Sequence, residues 1–201
     1  MLDYSKITRN GPWMLTASGR RFWPLDPHPD DISLEDIGWA LSQSCRYGGQ
    51  VPPPFFYSVA EHSVLLSEYW WNGIGNIQNI DIAEEHDLLL AKWSFIHDFA
   101  EAYIGDVIKP IKPLLTEFKP IEINVETCIF KKFGFTGGIP EEVNWADKAI
   151  CADEQLQLWP LEFNLRDDRM KRPRLHIQIE CLQPVQAYNR FMRRAAILGI
   201  N

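Results

Sequence analysis

The chain predicts an all-α bundle in a single domain, and three observations carry that prediction. Apolar residues recur at helical spacing in six stretches, alternating apolar and polar positions never persist beyond a few residues, and the breaks fall on glycine, proline and asparagine. With 201 residues, 46% hydrophobic and 23% charged, the chain has material for one buried core. That core is expected over about residues 33–160, with a C-terminal helix closing it and the whole of 1–201 forming one unit.

The first thirty residues are rich in Pro, Gly and Asp and read as irregular, with Trp13, Phe22 and Trp23 free to pack onto the domain. Ser33 followed by Asp36 opens a helix that Ile37, Ala40 and Leu41 continue to about Cys45. Gly48, Gly49 and the tandem prolines 52–54 then force a loop. Ser58 with Glu61 three residues later forms a second capping box, opening a helix through Val59, Leu65, Leu66 and Tyr69. Residues 72–81 read as a connection. Next comes a helix with Leu88, Leu89, Leu90, Ala91, Trp93, Phe95 and Ile96, apolar on nearly all sides and so expected at the centre. His97, Asp98 and Glu101 extend it on a shared face. After a break at 105–113, helical patterning returns over 114–133 and again over 141–158, and a last amphipathic segment spans 179–198.

The formal net charge of -7 and a pI near 5.2 disfavour a surface that binds a nucleic-acid backbone. The dense basic run Arg166, Arg169, Lys171, Arg172 and Arg174 is interrupted by Asp167 and Asp168 and reads as a solvated loop. No stretch is long and apolar enough to span a bilayer, so no membrane partner is expected. The start Met1-Leu2-Asp3-Tyr4-Ser5 lacks a basic segment followed by an apolar block, and the four cysteines form no C-x-x-C pair. Reduced thiols in a cytoplasmic protein are the expectation.

Chemistry concentrates in the ordered series His62, His97-Asp98, Glu101 and Asp147, each in a helically patterned stretch. Three helices can aim one imidazole, an adjacent His-Asp pair and a distant carboxylate at a single point, which is a ligand set for one divalent metal. Imidazole and carboxylate together suit Mn, Co, Zn or Fe, and a site without cysteine is more often catalytic than structural. Metal-activated water is the chemistry this predicts.

The whole series, His62, His97-Asp98, Glu101, Gly105-Asp106, Lys112 and Asp147, preceded by Tyr57-Ser58-Val59-Ala60-Glu61, resembles the HD-domain phosphohydrolases. It is most similar to the short deoxynucleotide enzymes, the bacterial 5'-deoxynucleotidases and the bacteriophage deoxyadenosine triphosphate phosphohydrolases. The resemblance covers roughly residues 11–160 and is most specific over 98–107. It implies a helical HD-type fold, with His62, His97, Asp98 and Asp147 as metal ligands for one Mn, Co or Zn ion, Mg and Ni also being admissible. It implies that Glu101 manages the proton of the attacking water and that Asp106 assists it or the leaving oxygen. Arg46, sixteen residues before His62, matches an arginine that holds phosphate. Tyr47 stands where relatives often carry Trp or Phe stacked on the nucleoside, and Lys112 and Lys109 would add charge near the phosphates. The implied substrate is a small deoxynucleotide, with a phage-type purine deoxynucleoside triphosphatase ahead of a monophosphate 5'-nucleotidase. A phage-encoded chain would work in the host cytoplasm. A phosphodiesterase or alarmone hydrolase usually needs further ligands or a longer chain, and a nucleotide sensor would be expected to have lost a ligand or Glu101.

The remaining polar candidates have plainer readings. His28 is expected in a loop, His86 on a solvated helix face and His176 in an irregular C-terminal segment. Asp153 and Glu154, about two turns beyond Asp147, are expected at the surface. Trp70, Trp71 and Trp93 suit either the core or a face shared by copies in a homo-oligomer.

Overall fold

A computed structural model describes residues 8–74, 82–160 and 173–201 and is mostly helical. The N-terminal methionine segment, most of the 72–81 connection and the basic run up to Arg172 lie outside the described residues. Successive helices are α1 (Leu34–Gln43), α2 (Val59–Ile74), α3 (Ile82–Ile96), the short α4 (Glu101–Ile104), α5 (Phe118–Lys132), α6 (Glu141–Leu158) and α7 (Pro184–Leu198). The expectation of an all-α fold holds. One small departure lies in the first thirty residues, where β1 (Met14–Leu15) pairs antiparallel with β2 (Arg21–Phe22).

This hairpin is tied to the bundle through Asp36. Ser33 caps α1 by accepting the amide of Asp36, as expected, but the Asp36 carboxylate turns outward instead of closing the box. It accepts from the Thr16 hydroxyl at 2.8 Å and from the Ser18 amide at 2.7 Å. Phe22 and Trp23 are thereby brought into the core while Trp13 stays half exposed, with the Arg21 guanidinium 4.4 Å from its ring.

The central helix is α2, not α3. Every residue from Val59 to Ser67 is buried, whereas α3 leaves Leu89 exposed and is buried only over its C-terminal half. An apolar sequence on all sides therefore overstated the burial of α3, and the serines and Glu61 of α2 concealed that of α2. The serines stay satisfied locally: Ser63 donates to the Val59 carbonyl at 3.0 Å. Trp93 belongs to the core, edge-on to Phe130 and Phe135, while Trp70 and Trp71 are partly buried.

The last helix begins at Pro184 rather than near residue 179, for a physical reason. Both oxygens of the buried Glu61 accept the amides of Glu180, Cys181 and Leu182 at 2.8–3.0 Å, and Cys181 has φ 57, a left-handed value that a right-handed helix does not admit. Proline at the first turn and reciprocal capping between Gln183 and Gln186 then start α7. Glu61 is thus no capping-box partner of Ser58, although the Ser58 hydroxyl does accept the Glu61 amide at 3.1 Å.

Helix α7 packs on α1 at a glycine. A Cβ placed on Gly38 would stand 2.7 Å from Cδ1 of Phe191, a fully buried ring packed on Phe95 and Phe99. Gly38→Ala should gain about 1 kcal/mol of helix propensity and lose about 1–3 kcal/mol to overpacking. The expected net is a loss of stability, read as a melting temperature lowered by a few degrees in a calorimetric scan. An unchanged or raised melting temperature would show that α1 and α7 can separate at no cost.

Candidate metal centre and active site

Three local structures deliver the site. The first is the start of α2, where an antiparallel bridge between Cys45 and Ser58 closes the proline loop. The Arg46 amide donates to the Tyr57 carbonyl at 2.9 Å, which sets Arg46 beside the first turn carrying His62. The second is the end of α3. The helix does not run on through His97 as expected but breaks after Ile96 into tight turns, with Phe99, Glu101 and Ala102 amides donating to carbonyls three residues back. Neighbours on an α-helix diverge by about 100°, so this overwinding lets His97 and Asp98 face one point. The third is α6, which carries Asp147 on the side facing α2.

His62, His97 and Asp147 each offer a ligand atom within 4.8 Å of one another, a cluster able to hold a metal ion. Asp98 joins them: its Oδ2 lies 3.1 Å from His97 Nε2 and 3.6 Å from His62 Nε2, and Asp147 Oδ1 lies 3.3 Å from His62 Nε2. The four residues expected to converge do converge.

The protonation of the imidazoles decides what this arrangement can do. His97 Nδ1 sits 2.7 Å from the Ser94 carbonyl, which can only accept, so this nitrogen carries the proton and Nε2 presents a lone pair. His62 Nδ1 sits 3.0 Å from a carboxylate oxygen of Glu154, with the same consequence. Both Nε2 atoms are buried without a well-aligned hydrogen bond and face carboxylate oxygens. Lone pair against carboxylate is repulsive unless a cation lies between them. A divalent ion answers that need, and in its place a proton would: burial lowers the His97 pKa, but the adjoining Asp98 outweighs it and carries the pKa to about 8. Burial likewise raises Asp98, and His97 brings it down to about 2.

Glu101, at the start of α4, lines the same cleft as Asp98 and Asp147. Its Oε2 is buried and without a hydrogen-bond partner. Burial, then the negative Asp98 and Asp106, push its carboxyl well above the usual range, a perturbation common in groups that exchange protons with a substrate. Asp106, half-buried in the loop after α4, is raised by burial against the pull of Arg46. The cleft holds about 440 Å³, a volume suited to a small molecule, and Lys112 and Lys119 form its opposite wall. Lys112 is paired with buried Glu122 at 2.6 Å, and the exposed Lys109 lies 3.7 Å from Asp147. Arg46 is deeper than a rim residue: its guanidinium stands 3.4 Å from Glu154, 3.7 Å from Asp98 and 3.9 Å from Asp147.

The expectation that Asp153 and Glu154 are surface groups is wrong. Both are fully buried. Asp153 accepts the Leu175 and His176 amides and the Arg174 side chain, which ties the C-terminal extended segment to α6. Glu154 serves His62. The available signal was position: residue 154 follows 147 by seven, two full turns, on one helix face. Among the other histidines, His28 caps a short 3-10 turn, His86 is exposed near Glu142, and His176 is exposed, each as expected.

His97→Ala should remove one ligand and reduce tightly bound Mn or Co, measured by elemental analysis after desalting, to well under one ion per chain. Full retention would contradict the cluster as a metal centre.

No family model matches the chain. The chain is 30% identical over 186 residues to the uncharacterized protein YfdR of Escherichia coli (strain K12), covering 89% of this chain and 91% of that protein. It is 33% identical over 138 residues to the uncharacterized protein RCAP_rcc00048 of Rhodobacter capsulatus, covering 68% of this chain and 66% of that protein.

Proposed function

The chain belongs to the family of YfdR, and we propose that it is a metal-dependent phosphohydrolase of the HD-domain type whose substrate is a deoxynucleotide. The observation that carries this reading is the pair of buried, unpaired Nε2 atoms facing two carboxylates at the end of a cleft that also contains Glu101. His62, His97, Asp98 and Asp147 would hold one divalent ion, Mn, Co or Zn. Such an ion supplies Lewis acidity, bringing the pKa of water from about 15.7 toward 7.

The rest of the chemistry falls to the chain's own side chains. Water oxygen forms a bond to phosphorus, the bond from phosphorus to the 5' oxygen breaks, and the 5' oxygen leaves with a proton. Glu101 takes the proton that water gives up, and its raised pKa suits it to return that proton to the leaving oxygen. Lys112 lines the cleft and Arg46 lies beside Asp98 and Asp147; both would act on phosphate oxygens, Arg46 as a planar fork and Lys112 as a point charge. The similarity of residues 102–112 to the phage enzymes supports a purine deoxynucleoside triphosphate, dATP-like, released as deoxynucleoside and triphosphate.

Chromatography of products from deoxy- and ribonucleoside mono- and triphosphates, each with Mn or Co, tests this directly. Deoxynucleoside and triphosphate from dATP is the expected result. Release only from monophosphates would move the assignment to a 5'-deoxynucleotidase, and binding without turnover would make the chain a sensor. Equal rates on ribonucleotides would reject a deoxynucleotide enzyme.

Glu101→Ala should retain the metal and lose turnover by about two to four orders of magnitude, the range for a positioned acid or base. Elemental analysis alongside kinetics separates the roles: loss of metal with activity would make Glu101 a ligand.

A further inference from the structure

The carboxylate of Glu154 is hydrogen-bonded to two side chains and ion-paired with a third. It lies in the interior between α2, α6 and the Arg46–Gly49 turn, fully buried. Its Oε1 is 3.0 Å from His62 Nδ1 and 3.4 Å from Arg46 Nε, and its Oε2 accepts the Tyr47 hydroxyl. We infer that Glu154 is a positioning residue of the metal centre, orienting His62, and that the Tyr47 hydroxyl braces it, so that Tyr47 serves the centre. The inference rests on the reading of the four-residue cluster as a metal centre.

Geometry gives Glu154 two tasks. By accepting from Nδ1 it keeps the His62 proton there, which leaves the Nε2 lone pair toward Asp147 and Asp98. By spanning from α6 to the imidazole it also fixes the ring angle, because His62 is on α2 and its Nδ1 has no other partner among the described residues. His97 donates the equivalent hydrogen bond to the neutral Ser94 carbonyl, so the two imidazoles differ in the charge behind them. A carboxylate behind His62 makes its Nε2 the stronger donor to a cation.

The turn that brings Tyr47 to Glu154 is itself unusual. Tyr47 has φ 60 and ψ 26, left-handed values that a bulky side chain rarely adopts, and Gly48 and Gly49 continue with φ 61 and 76. The ring is seated edge-on to Trp159 with its centroid 4.9 Å away, and the hydroxyl is anchored on Glu154. Held at both ends, Tyr47 is committed to the protein. Its neighbour Arg46, on the same turn, is thereby held against Asp98 and Asp147. One carboxylate sets a metal ligand and the cation beside the other ligands.

Titration of the metal-free full chain with Co²⁺, followed by its visible ligand-field bands, reads the centre without any nucleotide. Glu154→Ala should weaken Co²⁺ binding by about 10- to 100-fold, the usual cost of losing such a partner, and change the shape and position of the bands. Glu154→Gln, which keeps an acceptor without the charge, should fall between. Tyr47→Phe should shift affinity in the same direction by less. A folded Glu154→Ala variant with wild-type affinity and spectrum overturns the inference. Should that variant not fold, Tyr47→Phe decides, and an unchanged affinity and spectrum there overturn it. A wild-type chain that binds no Co²⁺ overturns the metal-centre reading itself.

Discussion

Two imidazole lone pairs pointed at carboxylate oxygens in a buried space are the constraint on which the rest of this structure depends. Each Nδ1 is tied down, one by the Ser94 carbonyl and one by Glu154, so neither ring can turn its proton inward. At separations of 3.1–3.6 Å the repulsion between lone pair and carboxylate is large in a poorly solvated site, and a cation between them converts it to attraction. A proton does the same, since Asp98 carries the His97 pKa to about 8, so the metal-free centre is held by ion pairs that a divalent ion would replace.

Keeping such a set of charges inside a small domain requires that its carboxylates be answered, Glu101 Oε2 being the exception in the cleft. Arg46 answers Glu154, Asp98 and Asp147 at once, and burial alone would have raised Glu154, which Arg46 and His62 instead bring to about 2. Glu61, one residue before the ligand His62, is answered by three backbone amides of the segment leading into α7. Asp153, one residue before Glu154, is answered by two more amides and Arg174. The extended segment 173–183 is thus fastened on both sides of the metal centre by residues adjacent to its key members. Packing of α2 on α3 and α7 and the fixation of the site are one arrangement.

The helical periodicity located all the long helices, and α6 ends where its pattern ends, at Glu141–Leu158. The convergence of His62, His97, Asp98 and Asp147 was legible because the pattern needs scarce residue types in a fixed order. Three features were not. The break after Ile96 leaves no mark in an apolar pattern, since Phe99 and Ala100 continue it while the hydrogen bonds tighten. The burial of Glu61, Asp153 and Glu154 was hidden because carboxylates read as solvated, and their partners are distant: amides 119 to 121 residues away for Glu61, amides 22 and 23 away for Asp153, and a tyrosine 107 away for Glu154. The start of α7 depends on the same Glu61 contact and moved with it. Long-range pairing of charged groups, invisible to local periodicity, accounts for the last two, and the break after Ile96 is a local tightening of hydrogen bonds.

The most direct measurement is anomalous diffraction at the zinc edge from crystals of the full chain loaded with Zn²⁺. The account predicts one strong peak about 2.0–2.2 Å from His62 Nε2, His97 Nε2 and oxygens of Asp98 and Asp147. A peak elsewhere, or none while both Nε2 atoms bond to water, would contradict it.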